Sequence, residues 1–368
     1  MLKQTLGVLL CAAMVAAALP GTARADEPPV LNIYNWSDYI APDTVANFEK
    51  ATGIKVNYDT YDSNETVDGK LKAGHSGYDI VVPSLSPFLA RQIKAGLYLP
   101  LDKSKLTNYG HVDKQLLAKM AVYDQGNTYA IPWMTGTDGL GINLDKVKAA
   151  LPNAPVDSYK LLFDPAIVAK FKDCGVSIID SPTDVFAVAL HYLGLDPASQ
   201  KKEDLQQAAD LLMKIRPYVR KFESSEYIND LANGDLCLAF GYSSDINLSH
   251  RRAVEAKKGV NVVFVNPVEG TVRWIDSMAI PKDAEHPQNA LKFLNYIMQP
   301  EVIAQTSNTV FIQSGNADAK AYVKPEIAND PAVFPPPEME KKLFALTVSS
   351  PEIERFRTRL WTRIKTGH

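Results

Sequence analysis

The chain has 368 residues, 46% of them hydrophobic and 22% charged, with 24 Pro and 20 Gly, which excludes collagen-like, low-complexity and wholly disordered chains and suggests about two lobes. A formal charge of −3 supplies no basic field for nucleic acid or anionic lipid. Three cysteines are too few for a disulfide-dense scaffold.

Residues 1–25 read as a secretory signal. Lys3 gives the positive start, a short apolar run ending near Leu19 follows, and Ala23-Arg24-Ala25 has the small-x-small pattern of a cleavage site. The run is too short for a comfortable membrane span, and Cys11 lies inside it after Leu10, not at a lipidation boundary. The expected product is a periplasmic protein cleaved after Ala25. Export leaves Cys174 and Cys237 as an even pair in an oxidising compartment. A disulfide between them is expected, two unrelated buried thiols being the alternative.

The mature chain then alternates. Residues 30–35 predict a buried strand and 42–52 a helix with Pro at its start and Gly53 past its end. A strand over 54–61, a helix over 63–73, a strand over 78–83 and a helix over 87–95 follow. Such alternation indicates parallel α/β construction. The extended, Gly-punctuated stretch around 128–141 predicts a hinge. A second series follows, with strands at 176–180, 236–242, 260–265 and 274–280 and helices at 183–194, 203–216, 228–231 and 287–298. The basic helix predicted over 352–364 should dock by Phe356 and Leu360.

No H-E-x-x-H, G-x-S-x-G, phosphate-binding or dinucleotide-binding motif occurs. The six histidines have no spacing suited to a metal. No catalytic residue, cofactor or metal site is expected. What recurs instead is an aromatic residue beside a carboxylate where strands meet loops: Trp36-Ser37-Asp38-Tyr39, Tyr242-Ser243-Ser244-Asp245 and Trp274-Ile275-Asp276. Asp184 adds a carboxylate at a helix start. Ligands of open α/β sheets sit off the carboxyl ends of strands. Carboxylates take an ammonium group by charge-assisted hydrogen bonds, and aromatic faces cover methylenes and attract cations. The set therefore suits a slender organic cation. Each member also has a plainer reading: Trp36 and Trp274 as core, Asp184 as a helix cap, Asp38 as a surface turn.

Longer motifs carry a resemblance. YNWSDYI at 34–40, GYDIVVPS at 77–84, SSEYINDLANGDLC at 224–237 and RTRLWTRIKTG at 357–367 resemble the periplasmic polyamine-binding proteins, closest to the putrescine-binding branch, and the likeness spans essentially the mature chain. It implies a two-lobed type II periplasmic binding protein, with residues 26–135 plus about 278–320 in one lobe and 136–277 plus about 321–368 in the other. It implies a polyamine ligand, putrescine or spermidine, delivered to the membrane permease of an ABC importer. The missing catalytic motifs speak against an enzyme, and with no coiled-coil seam or long apolar stripe in the sequence a monomer is expected. By motif, Trp36 and Trp274 would stack on the methylene chain, Tyr39 and Tyr242 would add walls, and Ser37 and Ser84 would make polar contacts. Asp245 with Asp276 would hold one ammonium, and Asp38 with Asp184 the other. The Cys174–Cys237 disulfide is implied as well. The sequence departs from the family at Asp184, where Glu is usual, at the ligand-side position Ile312, where an aromatic is usual, and at Thr135, often Trp. Trp274 is similar to spermidine-preferring members. A sensor for another amine such as agmatine is the alternative, and a periplasmic enzyme a further one.

Overall fold

The structure, a computed structural model, describes residues 27–367. The expected signal segment, 1–25, lies outside the described residues. Among them no helix is long and apolar enough to cross a membrane.

Among the described residues there are ten strands: β1 (Val30–Trp36), β2 (Lys55–Tyr61), β3 (Ile80–Val81), β4 (Ala130–Asn143), β5 (Val176–Ile178), β6 (Lys221–Phe222), β7 (Leu238–Tyr242), β8 (Val262–Val265), β9 (Arg273–Ala279) and β10 (Gln313–Ser314). Their order is β2-β1-β3-β9-β4-β7-β5-β6, with β8 and β10 also paired to β4. The outer strands run parallel, β1 with β2 and β3, and β5 with β6 and β7. β4 and β9 run antiparallel to their neighbours and join the two parallel groups. The stretch expected as a hinge is thus one 14-residue strand. Its first half pairs with β9 and its second half, from Asp138 to Ile142, with β7.

The helices follow from local signals. Thr44–Thr52 buries Phe48 and stops at Gly53, whose φ of 73° is the left-handed cap that favours glycine. Asn64–Ala73 starts at Ser63, whose hydroxyl accepts from the Thr66 N–H. Pro182–Tyr192 has Pro in its first turn. Pro351–Thr366 is capped by Ser350 and docks by Leu360 and Trp361, with Phe356 half-buried beside them.

Two main cores lie on either side of the β4 midpoint. One gathers Leu31, Ile33, Phe48, Trp133 and Phe293, and reaches Val323, Ile327 and Val333. The other gathers Leu140, Tyr159, Phe186, Tyr227 and Phe240, and takes in Leu346, Ile353 and Trp361. Cys174 and Cys237 are disulfide-bonded, with Cα atoms 5.6 Å apart. The bond ties the chain before β5 to that before β7, just ahead of the Val176–Leu238 pair.

Candidate functional site

A cleft of about 310 Å³ opens between the two cores. From the first side it receives Trp36 at the end of β1, the following Ser37, Asp38 and Tyr39, Ser84 beyond β3, and Trp274 and Asp276 of β9. From the second it receives Asp184 in the first turn of Pro182–Tyr192, Tyr242 at the end of β7, and Ser244 and Asp245 in the first turn of the helix Ser243–Ala256. Trp274 and Asp276 reach the same cleft because alternate residues of a strand share a face.

Asp276 is 5% exposed. It accepts hydrogen bonds from the Tyr39 hydroxyl at 2.8 Å and the Ser84 hydroxyl at 2.6 Å. Burial nevertheless pushes its carboxyl up to about 7, the two donors offsetting part of that and the charges of Asp184 and Asp245 adding to it. Asp245 accepts from the Tyr227 hydroxyl at 2.8 Å and from the Ser244 hydroxyl at 2.9 Å. Burial raises it to about 6, against those two hydrogen bonds. Asp184 is also pushed up by burial, while the Ser181 hydroxyl donates to it. Two buried acids, Asp184 and Asp276, and the half-buried Asp245 thus face one cavity, and among the described residues none has a cation bonded to it. Asp38 differs, being the more exposed acid and ion-paired at 3.0 Å with Arg252 of the second side. Its φ of 54° is left-handed, a conformation Asp tolerates better than most residues.

The aromatic walls are held by backbone and neighbours. Trp36 donates its indole N–H to the Val82 carbonyl at 2.9 Å and leans on Tyr61, ring centres 4.8 Å apart. Trp274 is opposite Gly136 in the β9–β4 ladder and meets Tyr242 edge-on, with centres 6.5 Å apart.

Trp36, Ser37, Asp38, Tyr39, Ser84, Asp184, Tyr242, Asp245, Trp274 and Asp276 are therefore brought together, and Ile312 is not. It is buried in the first core, outside the cleft lining, because the chain turns inward there after Phe311 ends the helix Pro300–Val310 in a left-handed cap. Sequence reasoning missed Tyr61, Asn64, Phe88, Arg252 and the rim 224–226, which also line the cleft, and the donor Tyr227. Only Tyr61 carried a signal, as an aromatic at a strand end before Asp62. No group of three or more His, Cys, Asp or Glu is placed to hold a metal ion among the described residues. Chemically the site can take an elongated cation: acids for its charged ends, ring faces for its apolar middle.

Residues 43–335 match the family model described as bacterial extracellular solute-binding protein. Over 367 residues the chain is 50% identical to the putrescine-binding periplasmic protein PotF of Escherichia coli, covering 99% of this chain and 98% of that one. It is 51% identical over 362 residues to the putrescine-binding periplasmic protein SpuD of Pseudomonas aeruginosa, covering 98% of each. The fold matches the spermidine/putrescine ABC transporter substrate-binding protein PotD of Streptococcus pneumoniae with a TM-score of 0.76 at 26% identity, covering 92% of this chain and 99% of that one. The chain belongs to the bacterial extracellular solute-binding proteins, two-lobed α/β proteins that bind solutes and do not transform them.

Proposed function

We propose that this protein captures a linear polyamine, putrescine foremost, in the periplasm and delivers it to the membrane permease of an ABC importer. One observation carries the ligand class: Asp184, Asp245 and Asp276, all raised by burial, face a single aromatic-walled cavity and none has a cationic side chain bonded to it. Buried acids without a cation are costly, and an ammonium group at each end of a methylene chain offsets that cost. Asp245 and Asp276 hold one end in this reading and Asp184 the other, while Trp36, Trp274, Tyr39 and Tyr242 cover the methylenes. Asp38 and Arg252 join the rims. The names of the two relatives, both putrescine-binding, support the same class.

The lobes follow the cores. The first comprises the chain to Gly136 and again from Trp274 to about Phe334, and the second the chain from Asp138 to Val272 and from about Leu346 onward. In this reading the last crossing lies beyond 320, which the packing of Val323, Ile327 and Val333 in the first core supports. Residues 1–25 are the export signal, removed after Ala25, and the mature protein acts as a monomer.

Thermal unfolding with putrescine, cadaverine, spermidine, agmatine and amino acids tests the reading. A saturating ligand raises the melting temperature by mass action, by about 2.7 kcal/mol of stability at a hundred times Kd. Diamines are expected to give the largest rise. A shift with amino acids and none with any polyamine would sink the proposal, and a largest shift with agmatine would favour the agmatine alternative.

A further inference from the structure

Beneath the cleft lies a carboxyl group that the binding scheme leaves unused. Asp138 sits at the middle of β4, opposite Tyr242 in the β4–β7 ladder, and is fully buried. Neither of its carboxyl oxygens meets an N–H or hydroxyl donor among the described residues. The carboxyl that acts on it is that of Asp184, in the first turn of the helix that follows β5, the strand next to β7. Two carboxylates only accept and repel each other, whereas two carboxyls sharing one proton form a hydrogen bond. The proton has a preferred seat. Asp184 reaches the cleft and takes a further hydrogen bond from Ser181, so it carries the charge better than Asp138, which has nothing else to stabilise an anion.

Resting on the polyamine reading, we propose that Asp138 is a positioning residue: a neutral carboxylic acid whose O–H donates to Asp184 and holds that carboxylate as a single, oriented anion facing the ligand. Hydrogen bonds from Ser181 and Asp138 fix the Asp184 carboxylate from behind, and its remaining lone pairs point to the ammonium. The pair then carries one negative charge against one positive charge of the ligand. Burial pushes both carboxyls up, Asp138 well above the usual range, with the Asp184 charge adding to it. The other charged or titratable groups around the pair are Tyr242 of β7, Tyr159, Glu65 of the helix Asn64–Ala73, Asp276 of β9 and Arg357 of the helix Pro351–Thr366. Arg357 is the one cation among them, and it favours the charge on Asp184.

The test is calorimetric titration of putrescine into the mature wild-type chain, Asp138→Asn and Asp138→Leu, between about pH 5.5 and 8.5, with melting curves for each. Asn keeps a neutral donor, and its affinity is expected within about threefold of wild type with the same pH profile. Leu keeps volume and donates nothing. Its affinity is expected to fall by about tenfold, with the pH at which binding fades moved upward, as for a lost hydrogen bond to a charged group. Independently of the Leu variant's folding, infrared spectra of the apo protein near pH 8 should show a protonated-carboxyl stretch that Asp138→Asn lacks. An Asn variant as weak as the Leu variant, unaltered binding in both, or no such stretch would overturn the proposal. Wild-type protein that bound no polyamine would overturn the reading beneath it, a result separate from any difference among the variants.

Discussion

Asp276 shows at the scale of one residue what a binding site asks of a fold. Its two oxygens each accept a hydroxyl hydrogen bond, from Tyr39 and Ser84, and burial still raises the carboxyl to about 7. The free protein is therefore strained electrostatically where the proposed polyamine's ammonium would sit. Removing the charge should act in opposite directions on stability and on affinity. Asp276→Asn keeps the shape and gives up the anion, so putrescine binding should weaken by roughly 2–5 kcal/mol, the cost of truncating a buried charge pair. The same variant without ligand should melt no lower than wild type at about pH 8, where the native carboxylate is ionised and poorly solvated. Calorimetry and melting curves on one preparation decide it. Unchanged affinity with a lower melting temperature would make Asp276 a structural residue. Asp38 offers the contrast: it is more exposed and already paired with Arg252, and an exposed pair contributes little.

At the scale of elements, β4 does most of the positioning. Gly136 faces Trp274 across the ladder, and a Cβ there would lie 2.4 Å from the indole ring. The absent side chain is the space in which Trp274 lies, so Gly136→Ala must move a cleft wall. A loss of about 1–3 kcal/mol in stability is expected from overpacking, together with weaker putrescine binding and a changed tryptophan emission on ligand addition. Wild-type emission and affinity in this variant would show that the indole's seat does not matter. The periodic elements were legible in the sequence: β1, β2 and the helix Thr44–Thr52 follow apolar spacing closed by Gly53. Trp274 and Asp276 were legible as one face because a strand alternates. The helix Ser243–Ala256 was not, since its sequence opens on Ser-Ser-Asp and stays polar, as a turn would. With it went Arg252 and the fact that Asp245 stands in a helix's first turn, where the backbone N–H groups favour a carboxylate. Asp138 was hidden differently. Its Gly-rich surroundings read as a hinge, and only the tertiary fold puts Asp184 beside it. Ile312 erred the other way: the family pattern set it toward the ligand, and the turn at Phe311 sends it into the core.

For the molecule as a whole, two ion pairs cross between the cores, Asp38–Arg252 and Arg91–Glu354. All four side chains are partly exposed, so each pair contributes little to holding the two sides together. In the proposed polyamine reading closure is left to the ligand, which contacts both sides only when they meet. The buried acids then tie binding to pH for the entire protein. In the unfolded chain an Asp loses its proton near pH 4, whereas folded Asp245 and Asp276 keep theirs to about 6 and 7. Between these limits the folded chain binds more protons than the unfolded one, so the stability these groups contribute is full below about pH 4 and is lost as pH rises through 7. The surface acids Glu49, Asp102 and Glu352, lowered by their hydrogen bonds, have the opposite sign, but they act below the ordinary carboxylate range and leave the interval above it unaffected. Ligand affinity runs against apo stability, because an ammonium needs the ionised form of the same acids. From about pH 5 to 8 the apo melting temperature should decline while the increment given by saturating putrescine grows. Differential scanning calorimetry across that interval measures both at once. An increment that stayed flat while the apo temperature fell would mean that the titrating acids do not touch the ligand, and the assignment of Asp245 and Asp276 to the ammonium end would fail.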